Sequence, residues 1–363
     1  MLLGRPAAQQ QEELTAAIER LSQAVNDAGT DLNVIALHGT HLCGGIPTFP
    51  CTASALKRLH PDVIFTLLDD VYACRSRLAA AGYDYPYKQL LVWRQIECSF
   101  ADHLAACCDV PNIYIAAKHP RLTLYRLLFE PRCPRMYSAS HITEARPNVH
   151  FRDEIDENRR TLHKDYVVFD PLTVDDRVLV NKLADVSNGP EFLPIDASDR
   201  WPLALERLGD GFQSLVDADR DVFPIKVSVE EARDLTRPDS LTPYMSIIDL
   251  QITQRDYRYI DQSDVMVAYR PRMNGQESLG VAAEKRYAAG SARKPVVEYS
   301  PELDGKVRQS RPFSTPLLGP ACPTLSGFYE KLADEARREA ERRYARSPQY
   351  YNRFDQFRNK HSS

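Results

Sequence analysis

The stretch Gln254–Ala268, QRDYRYIDQSDVMVA, followed by ESLGVAAEKRYA (277–288) and KPVV (294–297), decides how the second half of this chain is read. Helical spacing of apolar residues covers 247–262, and an apolar strand covers 265–269. After a turn come a helix over 280–289 and a strand over 295–299. Helices alternating with short apolar strands imply a parallel sheet covered on both sides.

Working outward, the same alternation begins after Pro134. RMYSA (135–139) reads as a strand, 151–163 as a helix and YVVFD (166–170) as a strand. Residues 175–242 have weak periodicity and scattered Pro. A loop of that length is unusual inside a compact domain, so helices are expected at 201–217 and 228–235. Nearer the N-terminus, Leu14, Ala17, Ile18, Leu21, Ala24 and Val25 mark an amphipathic helix over 11–28. LNVIAL (32–37) reads as a short strand. DVIFTLLDD (62–70) reads as a buried parallel strand ending in two carboxylates, followed by a helix over 94–106 and the strand NIYIAA (112–117). The expected fold class is α/β with two doubly wound, parallel-sheet (Rossmann-like) domains. Their boundary falls at EPRCP (130–134), giving domains 1–130 and 131–363, the second with a long insertion at about 176–245. The charged helix over 326–346 pairs Arg337, Arg338, Arg342, Arg343 and Arg346 with acidic neighbours, as a solvated helix does.

Composition narrows the function classes. The 46 Lys and Arg against 50 Asp and Glu leave a formal charge of −4. That balance argues against sequence-independent nucleic-acid binding and against a polybasic membrane anchor. No apolar run approaches the ~20 residues that span a bilayer, and 1–12 lack the pattern of a signal peptide. A cytoplasmic location with reduced thiols is therefore expected. His38, His41, Cys43 and Cys51 lie close together, but they lack the paired spacing of a structural zinc site, so no metal is expected.

The N-terminal half resembles an adenylate-kinase-like P-loop domain whose chemistry has been lost. Leu2-Leu3-Gly4-Arg5 precedes the first helix, but Gln9, Gln10 and Gln11 stand where a P-loop carries G-K-[ST]. Asp69 and Asp70 occupy the place of the second carboxylate motif.

The C-terminal half resembles the nucleoside 2-deoxyribosyltransferase-like superfamily, and within it the 2′-deoxynucleoside 5′-phosphate N-hydrolases. Asp256 and Asp264 have the family's eight-residue spacing, and Ser278, Gly280, Val281 and Glu284 fit its S-x-G-V-x-x-E motif. Tyr137, Ser138 and Ser140 match the end of the family's first strand. The similarity covers 131–175 and 247–300, and it departs after Glu284, where Lys285-Arg286-Tyr287 replaces a run with small residues.

The resemblance implies an N-glycosidase acting on a nucleotide. Breaking an N-glycosidic bond builds positive charge at C1′, so a carboxylate must attack or stabilise that carbon. Glu284 is the expected nucleophile, read as lying in the first turn of its helix, where free N–H groups would hold its pKa down. Asp256 is the candidate acid for the departing base, and Tyr137 would orient the nucleophile. Ser278 and Gly280 suggest a 5′-phosphate at a helix start, with Val281, Asp264, Ser138 and Ser140 completing the substrate site. No cofactor is implied, and the family's habit of sharing sites across subunits leads to the expectation of a homodimer. Two other readings stay open. One is a phosphotransferase that makes up for its missing Lys through Arg5 or a partner, and the other is a non-catalytic nucleotide sensor or interaction protein, phage defence being one setting for it.

Overall fold

The computed structural model describes residues 6–30, 32–43, 45–185, 191–201, 222–238, 245–273, 276–301 and 321–347. The chain is mixed α/β, with a four-stranded parallel sheet and a separate parallel pair. It divides into two compact units. One comprises Met1–Ala116, Leu179–Pro194 and Ile225–Gln251, and the other Ala117–Val178, Ile195–Pro224 and Ile252–Ser363. This differs from a single cut after residue 130, because parts of the expected insertion group with the N-terminal segment. The expected helix at 201–217 falls almost wholly outside the described residues, and that at 228–235 is Val229–Thr236.

In the first unit Ile64–Leu68 and Asn112–Ala116 pair in parallel, from Ile64 opposite Asn112 to Leu68 opposite Ala116. The helix Tyr87–Cys108 joins them in sequence. Helix Ala7–Ala28 docks through Ile18 onto a cluster of Cys51, Ala55, Leu56 and Leu104. Gln9, Gln10 and Gln11 lie in the first turns of that helix, while Gly4 and Arg5 are outside the described residues. The expected strand at 32–37 does not form. Its apolar side chains find little burial, Val34 being 82% exposed and Ile35 only half-buried, and a strand without a partner leaves its backbone groups unpaired.

The second unit is built on strands β1 (Arg135–Ser140), β2 (Val167–Phe169), β3 (Val265–Tyr269) and β4 (Val296–Tyr299). They run parallel in the order β4-β3-β1-β2. Side chains alternate across the sheet. Met136, Val168, Val265, Val267 and Val297 face one way, onto helices α1 (Val149–Asp165) and α4 (Leu325–Arg346), and share a core with Phe151, Ile155, Leu162, Phe328 and Leu332. Register sets Tyr137 beside Phe169 and Met266 on the opposite face. That face carries α2 (Ile247–Asp261), whose Tyr259 ring stacks on Phe169 at 5.6 Å. It also carries α3 (Leu279–Arg286), whose Lys285 reaches Glu298 of β4. Among the described residues no helix is long and apolar enough to cross a membrane.

Candidate active site

The strand order singles out one place along the sheet. From β1 the chain crosses through α1 to β2, then returns past β1 through α2, on the other face, to reach β3. Connections leave β1 and β3 in opposite directions, and in open parallel sheets ligands bind beyond the carboxyl ends of such a strand pair. Tyr137 comes from β1, Asp256 from the helix before β3, and Glu284 from the helix after it.

These three side chains act on one another. Tyr137 is fully buried, and its phenol is held well above its usual pKa by burial and by the charges of Asp256 and Glu284. Its hydroxyl pulls the Glu284 pKa down by proximity, although Oη makes no bond of ordinary hydrogen-bond geometry. Glu284 is packed round by protein yet keeps some exposed surface. Burial, and then the neighbouring Asp256 charge, push its carboxyl up to about 8. Asp256 is 5% exposed, and its own pKa is raised by burial and by the charge of Asp170. Both carboxyls are therefore harder to ionise than free ones, Glu284 in part because of the Asp256 charge.

The helix therefore does not act on Glu284 as expected. Ser278 is the N-cap and Leu279 the first helical residue, which makes Glu284 the sixth, in the second turn. The free N–H groups of a helix end at the first turn. Burial decides the pKa instead, and it raises it.

Three charged residues that sequence reasoning missed, Arg255, Asp170 and Arg159, extend this network. Arg255 donates from Nε and Nη2 to Asp256 Oδ1 at 3.0 and 2.8 Å, and from Nη1 to the Val174 carbonyl at 2.6 Å. Asp170, just beyond β2, accepts from Arg159 Nε at 2.7 Å and from the Leu172 N–H at 2.9 Å. The Arg159 guanidinium holds Asp170 well below the usual carboxylate range, and it also donates to Asp156 at 2.7 Å. Among the described residues Asp170 and Asp256 thus each have a guanidinium, and Glu284 has Tyr137 and the more distant influence of Arg255. One signal for Asp170 was available, since it is a charge closing an apolar run. Arg255 and Arg159 carried none, because charges on helices are mostly solvated.

The expected substrate contacts divide. Ser278 makes no side-chain capping bond, and a Cβ placed on Gly280 would meet only Ser278 Oγ, at 3.8 Å, so this helix start is open. Val281 is 2% exposed and packs inward. Ser138 and Ser140 alternate with Tyr137 and point to the opposite face of the sheet, so the strand does not bring them to the carboxyls. Asp264 stands at the other end of β3. Its Oδ2 accepts the Arg135 N–H at 2.9 Å and its Oδ1 accepts Arg343 Nε at 2.8 Å, which makes it a brace between β1 and α4.

Asp69 and Asp70 of the first unit follow the strand Ile64–Leu68 as expected, but protein groups occupy them. Asp69 takes Arg77 Nη2 and the Asp70 N–H, each at 2.8 Å, and Asp70 takes the Tyr72 hydroxyl at 2.8 Å. Among the described residues no group of three His, Cys, Asp or Glu side chains is placed to hold a metal. Compared with models of protein families, with curated proteins and with solved structures, the chain matches none of them.

Proposed function

We propose that the second unit hydrolyses the base–sugar bond of a nucleoside 5′-monophosphate, with Glu284 as nucleophile and Asp256 as acid. The observation that carries this reading is the Glu284–Asp256 pair, two enclosed carboxyls beside Tyr137 with raised pKa values, that of Glu284 in part through the Asp256 charge. A buried carboxyl kept short of cations is a cost to the fold, and such groups cluster where chemistry is done.

The reactive form of the pair carries its negative charge on Glu284 and its proton on Asp256. The ionised Glu284 oxygen bonds to C1′ as the C1′–N bond breaks, and the electron pair leaves with the base. Asp256 gives its proton to the departing nitrogen. Water then attacks C1′, the glycosyl ester opens, and the water proton returns to Asp256. Arg255 holds Asp256 in place, and the neutral Tyr137 phenol is available to orient Glu284. Ser278 Oγ and the exposed N–H groups after it suit the 5′-phosphate.

The order β4-β3-β1-β2, with helices on both faces, supports a doubly wound reading of this unit and the resemblance to deoxyribosyltransferase-like proteins. The degenerate P-loop reading of the N-terminal half and the homodimer remain parts of the same proposal. The test is a panel of nucleoside monophosphates, nucleosides and NAD, followed by mass spectrometry for free base. Release of a base by the wild type, reduced about 10³-fold or more in Glu284→Gln, is expected from loss of the nucleophile. No base from any member of the panel, or undiminished release by the variant, would overturn the assignment.

A further inference from the structure

Directly after Glu284 the helix presents a lysine to the interior. Lys285 is 1% exposed, and a fully buried ammonium persists only where it is paired. Its Nζ donates to Glu277 Oε1 at 2.8 Å and to Glu298 Oε2. Glu298, 3% exposed within the apolar run of β4, accepts Arg272 Nη1 and the Ser300 hydroxyl, the latter at 2.7 Å. Arg272 Nη2 returns to Glu277 at 3.4 Å and closes the circuit. Two cations and two carboxylates form a neutral ring, and its charges hold the Glu298 pKa down.

What the ring joins gives it a purpose. Arg272 and Glu277 are directly opposed across a hairpin of two-residue strands, Arg272–Met273 and Gln276–Glu277. Strands that short do not hold their own position. Ser278 follows Glu277 at once, and its N–H donates to the Pro271 carbonyl at 3.0 Å. The ring therefore ties the residue before Ser278 to the residue after Glu284, and fastens both to the sheet at Glu298. A buried ionic ring adds little net stability, but it accepts one geometry and rejects the neighbouring ones.

We propose that Lys285 is a positioning residue: through Glu277 and Glu298 it sets the hairpin, and with it Ser278, against the helix that carries Glu284. The consequence for substrate rests on the N-glycosidase reading above. In that setting the ring fixes the phosphate end of a nucleotide relative to C1′, and so governs the preference for 5′-monophosphates over nucleosides.

Two measurements on Lys285→Met separate this proposal from that reading. The first is amide hydrogen exchange in the ligand-free protein. Exchange should rise about tenfold or more at 276–280 while β1 keeps its protection, because only the hairpin is released. Unchanged exchange at 276–280 overturns the positioning role, and so does acceleration spread equally over β1, which marks a general structural part. The second measurement is kcat and KM on a monophosphate and its nucleoside. KM for the monophosphate should rise about tenfold, with little change in kcat and none for the nucleoside, and Lys285→Arg should recover part of the loss. If the wild type cleaves nothing, the function fails and the exchange result still decides the role of Lys285. Should Lys285→Met not fold, Glu277→Gln cuts the same ring at its partly exposed edge and must show the same local rise, or the proposal is wrong.

Discussion

Two pairs of carboxyls in this molecule can be set side by side. Asp69 and Asp70 follow a parallel strand of the first unit, and Asp256 and Glu284 bracket a parallel strand of the second. In the first pair the charges are met: Asp69 holds Arg77 and a backbone N–H, and Asp70 holds a tyrosine hydroxyl. In the second, Asp256 has Arg255, while Glu284 is left to burial and to repulsion from Asp256. A charge with its partners in place serves the fold. A carboxyl whose ionisation burial opposes weakens the fold when it is charged, and such groups cluster where chemistry is done. The contrast is sharpest along a single helix, where the ring on Lys285 balances its charges one residue after Glu284 fails to.

The largest effect expected from this contrast belongs to Glu284. A carboxyl whose pKa is raised in the folded state keeps its proton there after the unfolded chain has lost its own. The folded state then binds more protons between about pH 4.5 and about 8, so stability contributed by the protonated group falls as pH rises through that window. Glu284→Gln removes the penalty. Thermal melts should show little difference between variant and wild type at pH 5, and at pH 8 a variant Tm higher by roughly 2–10 °C. Over the same range wild-type turnover should decline as pH rises through about 8, because the pair then loses the proton that the reactive form carries on Asp256. A variant no more stable than the wild type at pH 8 would mean that Glu284 is as well satisfied as Asp69 and Asp70, and the comparison would collapse.

Much of this was legible in the sequence. The four strands of the second unit were, because they are apolar runs bounded by Pro, Asp or Ser, and the helices between them kept a 3.6-residue period. The spacing from Ser278 to Glu284 was also legible. What failed depended on one-residue details or on distant partners. Glu284 stands in the second turn and not the first, because the cap is Ser278 and the helix starts at Leu279. Grouping Ser138 and Ser140 with Tyr137 ignored strand alternation, which sequence alone supplies. The apolar run at 32–37 looks like a strand until burial is asked of it. Glu298 inside VVEY was a readable sign of a buried ion pair, whereas nothing local says that Arg272 and Lys285 meet it.

A smaller effect is expected at Ser278, which the second pair implies should face an anion. Its hydroxyl makes no capping bond, so Ser278→Asp should cost the fold little and place a negative charge where the phosphate would lie. The ratio of kcat/KM for a monophosphate to that for its nucleoside should fall about tenfold or more, since each charge-assisted hydrogen bond contributes roughly 1.5–3 kcal/mol. An unchanged ratio would remove the phosphate from this helix start and leave the carboxyl pair standing.

The smallest effect on chemistry should come from Asp264, which shares the spacing motif with Asp256 but belongs with the satisfied carboxyls. Oδ2 holds the first N–H of β1, and Oδ1 holds Arg343, whose other nitrogens donate to the carbonyls of Pro131 at 2.9 Å and Cys133 at 3.0 Å. Asn at this position keeps one acceptor and turns an amide N–H2 toward a donor. Asp264→Asn should therefore destabilise by roughly 1–3 kcal/mol, seen as a lower Tm, while kcat/KM below the melting range stays within about twofold of the wild type. Arg343→Ala should lower Tm similarly, and the double variant should lose less than the sum, because both changes break one brace. Additive losses would mean that the two residues act separately. A large fall in kcat/KM with stability intact would return Asp264 to the substrate, and would show that eight-residue spacing outweighs the hydrogen bonds now occupying both of its oxygens.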